Sequence, residues 1–170
     1  MQFEEAKSQF VQSWGTFGSN WGINKAMAQI HALLLISPEP LCTDEIMEEL
    51  QISRGNANMT LRSLLDWGIV TKVLKPGERK EYFESEKDMW EMVKKVINER
   101  KKKELEPVAK MLEQVQHITD GPEREIKEFI KVTSELSRFS NRAVDLLEIV
   151  IKAEQHWFFG TFFKLIKGKK

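Results

Sequence analysis

The chain has 170 residues, enough for one domain or two small ones, and 31% of them are charged while Gly and Pro are few, which is typical of a helical, soluble protein. A single cysteine, Cys42, excludes an intramolecular disulfide and fits a reducing cytoplasm. The acidic N-terminus is unlike a signal peptide, and no apolar run approaches the ~20 residues of a membrane-spanning helix.

The formal net charge is zero, but the charges are unevenly distributed. Residues 1–52 hold seven carboxylates and only two basic residues, Lys7 and Lys25. Residues 53–80 hold six basic residues and only two acidic ones, Asp66 and Glu78. A local basic patch of this kind attracts phosphate even when the whole chain is neutral.

Two helices are predicted in the first forty residues. Apolar residues spaced by three or four predict the first, over residues 3–17, and Gly15, Gly18 and Gly22 are expected to break up the chain after it. Asn24 is expected to cap the second helix, which ends at Ser37-Pro38. Its predicted buried stripe is Met27, Ile30, Leu34 and Leu35.

Two short helices joined by a tight turn are predicted next. Thr43 and Ser53 can each cap one by accepting hydrogen bonds from first-turn N–H groups, residues 51–52 form the turn, and Gly68 can end the second helix in a left-handed conformation. The apolar positions predicted to pack together are Ile46, Met47 and Leu50 in the first helix and Ala57, Leu61, Leu64 and Leu65 in the second.

A β-hairpin is predicted after these helices, with strands at residues 69–75 and 80–83 around a Pro76-Gly77 turn. This order predicts a winged helix-turn-helix: a mainly α fold with a small β-wing. The side chains left outward on the second helix suit base edges, since Arg pairs with guanine and Asn with adenine. We expect DNA contacts from Ser53, Arg54, Asn56, Asn58, Met59 and Arg62 on the helix, and phosphate contacts from Lys72, Lys75, Arg79 and Lys80 on the wing.

Several stretches resemble the GbsR branch of the MarR-like transcription regulators. They are Trp14-Gly15 followed by Gly22, the run from Ala26 to Leu35, Ser53-Arg-Gly-Asn-Ala-Asn-Met59 and Leu64-Leu-Asp-Trp-Gly-Ile-Val70. The resemblance covers about the first hundred residues. It implies a homodimeric repressor or activator, of which we favour a repressor, and some members of the branch sense choline-like osmolyte precursors. A winged-helix adaptor that binds an acidic protein partner instead of DNA is the alternative.

Long helices are predicted after the wing. Ser85 can cap a helix that carries Met89 and Trp90 and runs into a polar stretch, residues 98–104, which helical propensity can carry without burial. Pro107 either kinks this helix or begins another. The longest helix is predicted over residues 123–155. Its apolar stripe is Ile126, Phe129, Ile130, Leu136, Ala143, Leu147, Val150 and Ile151, with Thr133 and Ser140 on the same face.

These helices cannot bury their apolar faces against a small DNA-binding core alone. Pairing with a second chain would bury them and would set two recognition helices ~34 Å apart on a near-palindromic operator. We therefore assign residues 1–84 to a DNA-binding domain, with the first helix able to join the dimer seam, and residues 85–170 to a helical dimerisation region. A monomeric helical bundle is the alternative. The aromatic tail, residues 156–170, is expected to pack on the dimer helices, without stable membrane association.

The aromatic residues Trp14, Phe17, Trp21 and Trp90 are candidates for binding a small-molecule effector. Aromatic faces attract quaternary ammonium groups, although large aromatics are more often core. Cys42 is expected to be a buried apolar residue rather than a redox sensor. The three histidines, His31, His117 and His156, lack metal-ligand spacing, and no catalytic motif is present, so we expect no metal, no cofactor and no enzymatic activity.

Overall fold

The computed structural model describes residues 1–153, and the chain divides into two compact units, Met1–Met92 and Val93–Lys170. The first unit is helical with a small antiparallel sheet, which confirms the predicted fold class of a mainly α chain with a β-wing. The separate roles assigned above to the two parts of the chain stay predictions. The elements of the first unit are α1 (Phe3–Asn20), α2 (Lys25–Ile36), β1 (Leu41–Cys42), α3 (Thr43–Leu50), α4 (Arg54–Asp66), β2 (Val70–Val73) and β3 (Tyr82–Ser85).

Helix α1 continues to Asn20 through two of the glycines that were expected to break it. Gly15 and Gly18 are buried where α1 packs on α2. A Cβ atom on Gly18 would lie 2.5 Å from the Cβ of Ala28, so no larger residue fits without movement. The expectation that these two glycines end the helix was wrong, because they serve close helix packing. Gly22, with a φ of 73°, does follow the end of the helix.

Helix α2 supplies the centre of the core. Its predicted cap is confirmed, since the Asn24 side chain accepts a hydrogen bond from the Met27 N–H at 3.2 Å. Leu35 is only half-buried, contrary to the prediction, and Leu33 is buried in its place because the buried arc of the helix is wider than one stripe. The largest fully buried side chains of the first unit come from α2, α3, α4 and β2: Ile30, Leu33, Leu34, Ile46, Leu61, Leu64 and Val70.

The wing belongs to a three-stranded antiparallel sheet of order β1-β3-β2. In β3, Phe83 lies between Leu41 of β1 and Lys72 of β2. The hairpin was predicted, but β1 was not, because two residues that follow a Pro carry no strand pattern of their own. Pairing with β3, some forty residues later in the chain, is what makes them a strand.

The start of α3 corrects a predicted cap. Cys42, not Thr43, is the N-cap residue: its sulfur accepts a hydrogen bond from the Glu45 N–H, and the Glu45 carboxylate accepts one from the Cys42 N–H at 2.6 Å. This reciprocal capping box satisfies two N–H groups at once. Thr43 is therefore the first residue of the helix, and the buried Cys42 has a capping role besides packing.

The predicted cap at Ser85 was also wrong. Ser85 is the last residue of β3, and its buried hydroxyl donates to the Ile69 carbonyl at 3.3 Å. The side chain of Asp88 instead accepts hydrogen bonds from the N–H groups of Trp90 and Glu91, at 2.8 and 3.0 Å. The next helix therefore starts later than the sequence suggested, at Met89.

The second unit is helical over its described residues. Its elements are α5 (Met89–Arg100), which starts in the first unit, a π-helical turn (Lys101–Leu105), α6 (Glu106–Gln114) and α7 (Glu123–Lys152). Pro107 lies in the first turn of α6, directly after the π-helical turn, and the backbone at Leu105 and Glu106 is helical, so the chain continues as a helix past this proline. Lys101 is buried, contrary to the expectation for the polar stretch, because its ammonium pairs with Glu106 at 3.3 Å and with Glu148 of α7 at 3.1 Å.

The long helix α7 has two different faces rather than the one apolar stripe that was predicted. The face that packs within the unit buries small polar residues, Thr133, Ser137 and Ser140. Phe129 and Leu136, which were predicted on the stripe that a second chain would bury, are about half-exposed in the single chain. The large exposed apolar residues of α7 are Phe129, Val132, Leu136, Phe139, Leu146 and Ile149.

The C-terminal end of α7 is set by Ala153, whose backbone is extended, so the helix is shorter than the predicted residues 123–155. The aromatic tail lies outside the described residues. Within the described part of the chain, no helix combines the length and the apolar character needed to cross a membrane.

Candidate nucleic-acid interface

Helix α4 is held by its two ends and by one apolar face. Ser53 caps it as predicted, since its hydroxyl accepts a hydrogen bond from the Asn56 N–H at 3.3 Å. Gly68, with a φ of 69°, follows its C-terminus in the expected left-handed conformation. Ala57, Leu61 and Leu64 are buried against the rest of the unit. The opposite face of α4 is consequently turned outward.

Most of the residues predicted to read DNA lie on that outward face. Exposed are Ser53, Arg54, Asn58, Met59 and Arg62. Asn56 is half-buried, and its side-chain oxygen accepts a hydrogen bond from the Thr60 hydroxyl at 3.3 Å, so it is less free than predicted. Met59 is 61% exposed although it is apolar, so its side chain does not contribute to the core. The arrangement leaves donors, acceptors and one apolar side chain on a single helical surface.

The wing presents its basic residues beside this helix. Lys72, Arg79 and Lys80 are exposed, and Gly77, with a φ of 83°, makes the tight turn at the tip. Lys75 is half-buried, with its ammonium 4.0 Å from the centre of the Tyr82 ring.

The ring of Tyr82 is itself fixed by a carboxylate. Its hydroxyl donates to Glu78, and this hydrogen bond is the main reason that the pKa of Tyr82 is raised to about 12. Because Lys75 lies over this ring, the wing orders one of its own cations through Tyr82.

Three other basic residues of this surface, Arg54, Lys72 and Lys80, form ion pairs with carboxylates. Asp44, in the first turn of α3, pairs with Arg54 through one oxygen and with Lys80 through the other, at 3.2 Å for Lys80. These two hydrogen bonds, that of Lys80 first, lower the pKa of Asp44, and Asp44 in turn raises the pKa of Lys80. Glu81 pairs with Lys72 at 2.7 Å.

Sequence reasoning missed these acidic partners. Glu81 has a detectable signal, because it belongs to the same predicted hairpin as Lys72 and lies two residues from Phe83, which pairs with Lys72. Asp44 has none, since its partners are ten and thirty-six residues away.

Three of the candidate effector residues form a row on α1. The ring centres of Trp14 and Phe17 are 5.8 Å apart, and those of Phe17 and Trp21 are 5.4 Å apart. Phe17 and Trp21 are exposed, whereas Trp14 is half-buried and its ring centre lies 6.3 Å from that of His31. The fourth residue, Trp90, is half-buried in the first turn of α5. The row offers aromatic faces to a cation, but rings stacked along one helix do not by themselves make an enclosing cage.

These elements together define a winged helix-turn-helix: α3 and α4 joined at Gln51, whose φ is 53°, a basic hairpin beside them, and α2 across the core. In a survey of the residues that the structure describes, no group of three His, Cys, Asp or Glu side chains is placed to hold a metal ion.

Comparisons with known proteins agree with this class. Residues 28–72, from α2 to β2, are similar to the family described as "Bacterial regulatory protein, arsR family". Over 88 residues the chain is 23% identical to YvaV of Bacillus subtilis (strain 168), a candidate HTH-type transcriptional regulator. That match covers 52% of this chain, and the chain spans about half the length of YvaV, 50%.

A solved structure described as "Crystal Structure of a transcriptional regulator" has a similar fold. Its TM-score is 0.56 at 16% identity, over 84% of this chain and 98% of that chain. The likeness extends beyond the residues matched by the family, into the helical part of the chain. The family match over residues 28–72 and the match to YvaV thus indicate a helix-turn-helix of the kind found in bacterial regulators, and the structural likeness supports the fold.

Proposed function

We propose that this protein is a DNA-binding transcription regulator that reads the major groove with α4 and holds phosphate with the wing. The observation that carries the proposal is the outward face of α4, where Arg54, Asn58 and Arg62 are exposed while Ala57, Leu61 and Leu64 are buried. A helix fits the major groove, and these side chains match the hydrogen-bonding edges of guanine and adenine. The basic wing adds contacts that fix position without reading sequence.

We propose a homodimer formed through the exposed face of α7. The large apolar residues on this face follow steps of three and four from Phe129 through Val132 and Leu136 to Phe139, and after Ala143 they resume at Leu146. Such alternating steps form the apolar seam of paired helices. Because the face of α7 that is buried within the unit carries small polar residues, the large apolar side chains remain exposed and available to a partner. A second copy of the chain presents the same seam.

A two-fold dimer would place two copies of α4 about one DNA turn apart, ~34 Å, and the operator would then be a near-palindrome. We further propose that the protein acts in the cytoplasm as a repressor of the GbsR-like, MarR-related type. The stretches around Trp14, Ser53 and Trp67 that resemble that branch support this placement.

An effector is proposed at the aromatic residues Trp14, Phe17, Trp21 and Trp90. The row of rings on α1 supports a ligand with a quaternary ammonium group, such as a choline-like compound. The ligand would change DNA affinity only by binding one arrangement of the dimer better than another. Titration with choline, followed by tryptophan fluorescence, tests this. The absence of any response at millimolar ligand would exclude it.

The DNA-binding proposal is tested by selecting bound duplexes from a random library with the purified full chain. We expect an inverted repeat, and binding that weakens steeply as salt rises. A protein that shows no preference among duplexes, even at low salt, would contradict the proposal and favour the adaptor that binds an acidic protein.

Two substitutions separate base reading from phosphate contact. Arg62→Ala should weaken binding to the selected duplex by roughly 5- to 150-fold, from the 1–3 kcal/mol of a bidentate base contact, with little change on random DNA. Lys75→Ala should weaken both and flatten the salt dependence by about 0.9 in slope. Lys110→Ala, which removes an exposed lysine of α6, is the control for charge alone. Equal losses on both duplexes for Arg62→Ala and Lys75→Ala would remove the groove assignment.

The seam on α7 is tested by Phe139→Glu, because Phe139 is the most exposed of its large apolar residues, at 73%. Two buried carboxylates, one per subunit, should raise the dimer Kd by roughly 100-fold or more. Sedimentation velocity over a range of concentrations measures this. Lys131→Glu, on another face of the same helix, should leave the dimer intact. If both variants stay dimeric, the seam lies elsewhere.

A further inference from the structure

The side chain of Asp44 joins two parts of the proposed DNA-binding surface that are far apart in sequence. One of its oxygens pairs with Arg54, the first residue of α4, and the other accepts from Lys80 of the wing at 3.2 Å. Each oxygen is used by a different element. The adjacent Glu45 cannot serve in its place, because its carboxylate is turned toward the Cys42 N–H to cap α3.

The pairs at Asp44 are open to solvent, since the side chains of Asp44, Arg54 and Lys80 are 46, 63 and 58% exposed. Exposed ion pairs of this kind contribute little to folding. Asp44 has a larger effect on the attraction between this surface and DNA. Arg54 and Lys80 alone would carry two positive charges, whereas the three groups together carry one. A phosphate that approaches Arg54 or Lys80 also approaches the carboxylate of Asp44.

The geometry of Arg54 permits a second effect. A guanidinium carries five N–H donors in a rigid plane, and Asp44 is bound to a terminal nitrogen, Nη2. Donors on the rest of the fork stay available for the two acceptors of guanine. The carboxylate thus weakens phosphate binding while it orients the same side chain for a base.

We infer that Asp44 is a specificity-determining residue, which lowers affinity for DNA of any sequence and orients Arg54 for base contact. The inference rests on the proposed function, since it needs α4 to face DNA. Nothing in the pattern of the sequence singles out Asp44, because its carboxylate is one of several on α3 and its partners are brought to it by the fold.

Asp44→Asn tests the inference on the full-length protein, with fluorescence anisotropy on the selected duplex and on a random duplex over a range of salt. One more effective positive charge should steepen the salt dependence on random DNA by about 0.9 in slope. Affinity for random DNA at ~0.1 M salt should rise roughly three- to tenfold, while affinity for the selected duplex changes less than about twofold. The ratio of the two affinities should therefore fall by about three- to tenfold.

The matched control is Glu48→Gln, which removes a carboxylate from the same helix, where no ion pair to Glu48 is found among the described residues. Asp44→Glu keeps the charge and should restore most of the discrimination. Circular dichroism shows whether Asp44→Asn is folded, and Asp44→Ser replaces it if it is not, since serine also suits the start of a helix.

The outcomes separate the inference from the function beneath it. Wild-type protein that binds no duplex overturns the proposed function and the inference together. Wild-type protein that binds, with Asp44→Asn indistinguishable from Glu48→Gln or weaker on both duplexes, overturns the inference alone. Steeper salt dependence with lost discrimination, reversed by Asp44→Glu, supports it, and a structural role alone would not produce that combination.

Discussion

A buried histidine makes the stability of this protein depend on pH. His31 lies in α2 with 5% of its surface exposed, and its Nε2 has no hydrogen-bond partner among the described residues. Burial, reinforced by the positive charge of Lys87, lowers the pKa of His31 to about 4. The imidazole is therefore neutral in the folded protein at every pH at which the chain is expected to work.

The direction of the pH effect follows from proton binding. An unfolded histidine has a pKa of about 6.5, so between pH 6.5 and 4 the unfolded chain binds more protons at this site than the folded chain does. The free energy of unfolding must then fall as the pH falls through this window. From the two pKa values, the loss between pH 8 and pH 5 is about 2 kcal/mol, approaching about 3.4 kcal/mol below pH 4.

The variant His31→Leu removes the titration while keeping an apolar side chain of similar size. Urea unfolding of both proteins at pH 8, 6, 5 and 4.5 gives the difference between their free energies of unfolding at each pH. We expect this difference to shift by about 2 kcal/mol in favour of the variant between pH 8 and pH 5. His31→Gln, also without charge, should show the same pH dependence of the difference.

In the difference between the free energies of unfolding of wild type and His31→Leu, the contributions of the other acid-sensitive groups cancel. The hydrogen bond from the Cys42 N–H lowers the pKa of Glu45, for example, so protonation of that carboxylate also costs stability, below its ordinary value of 4.5. That contribution is common to both proteins. If the difference between wild type and His31→Leu does not change with pH, His31 is not buried in its neutral form and the reasoning fails.

Two further predictions concern packing and capping. Gly18→Ala should lower the free energy of unfolding by about 1–3 kcal/mol, because its Cβ would lie 2.5 Å from that of Ala28. Gly55→Ala, with no atom within 4 Å of the new Cβ, should raise the free energy of unfolding by about 0.5–1 kcal/mol. If urea unfolding showed losses of equal size for both variants, the close approach of α1 and α2 would be contradicted. Lys87→Met should cost about 1–3 kcal/mol, since the ammonium donates to three carbonyls at the end of α2 at 2.7–2.9 Å, and it should also raise the pKa of His31 measured by NMR. Lys110→Met is the control. If it lowered the free energy of unfolding as much as Lys87→Met does, Lys87 would not be capping α2.

The helix α4 shows how far local pattern reaches. Its start at Ser53, its end before Gly68 and its division into a buried and an outward face were all predicted from residue types and spacing. These features depend on hydrogen bonds and side-chain neighbours within four residues, so the sequence contains them directly. Asn56 departs from the prediction because Thr60, one turn later, engages its side chain.

The glycines of α1 show where local pattern misleads. Glycine usually interrupts a helix, and Gly15 and Gly18 were interpreted in that way. Their burial comes from contact with α2, which spacing within α1 does not reveal. The strand at Leu41 was missed for the same kind of reason, because it becomes recognisable only through its pairing with β3. The cap at Cys42 was missed for a different reason: its partner Glu45 is only three residues away, but Cys is not among the residue types that usually cap a helix.

The sequence alone thus determined the helices, the turn residues, the winged helix-turn-helix class and which side of α4 faces outward, because periodicity and capping act over a single turn. The tertiary structure decided which glycines are packing contacts, that α7 buries small polar residues while several of its large apolar ones face out, and that Asp44 lies between Arg54 and Lys80. Those features depend on distances between segments that are tens of residues apart, and such distances exist only after the chain has folded.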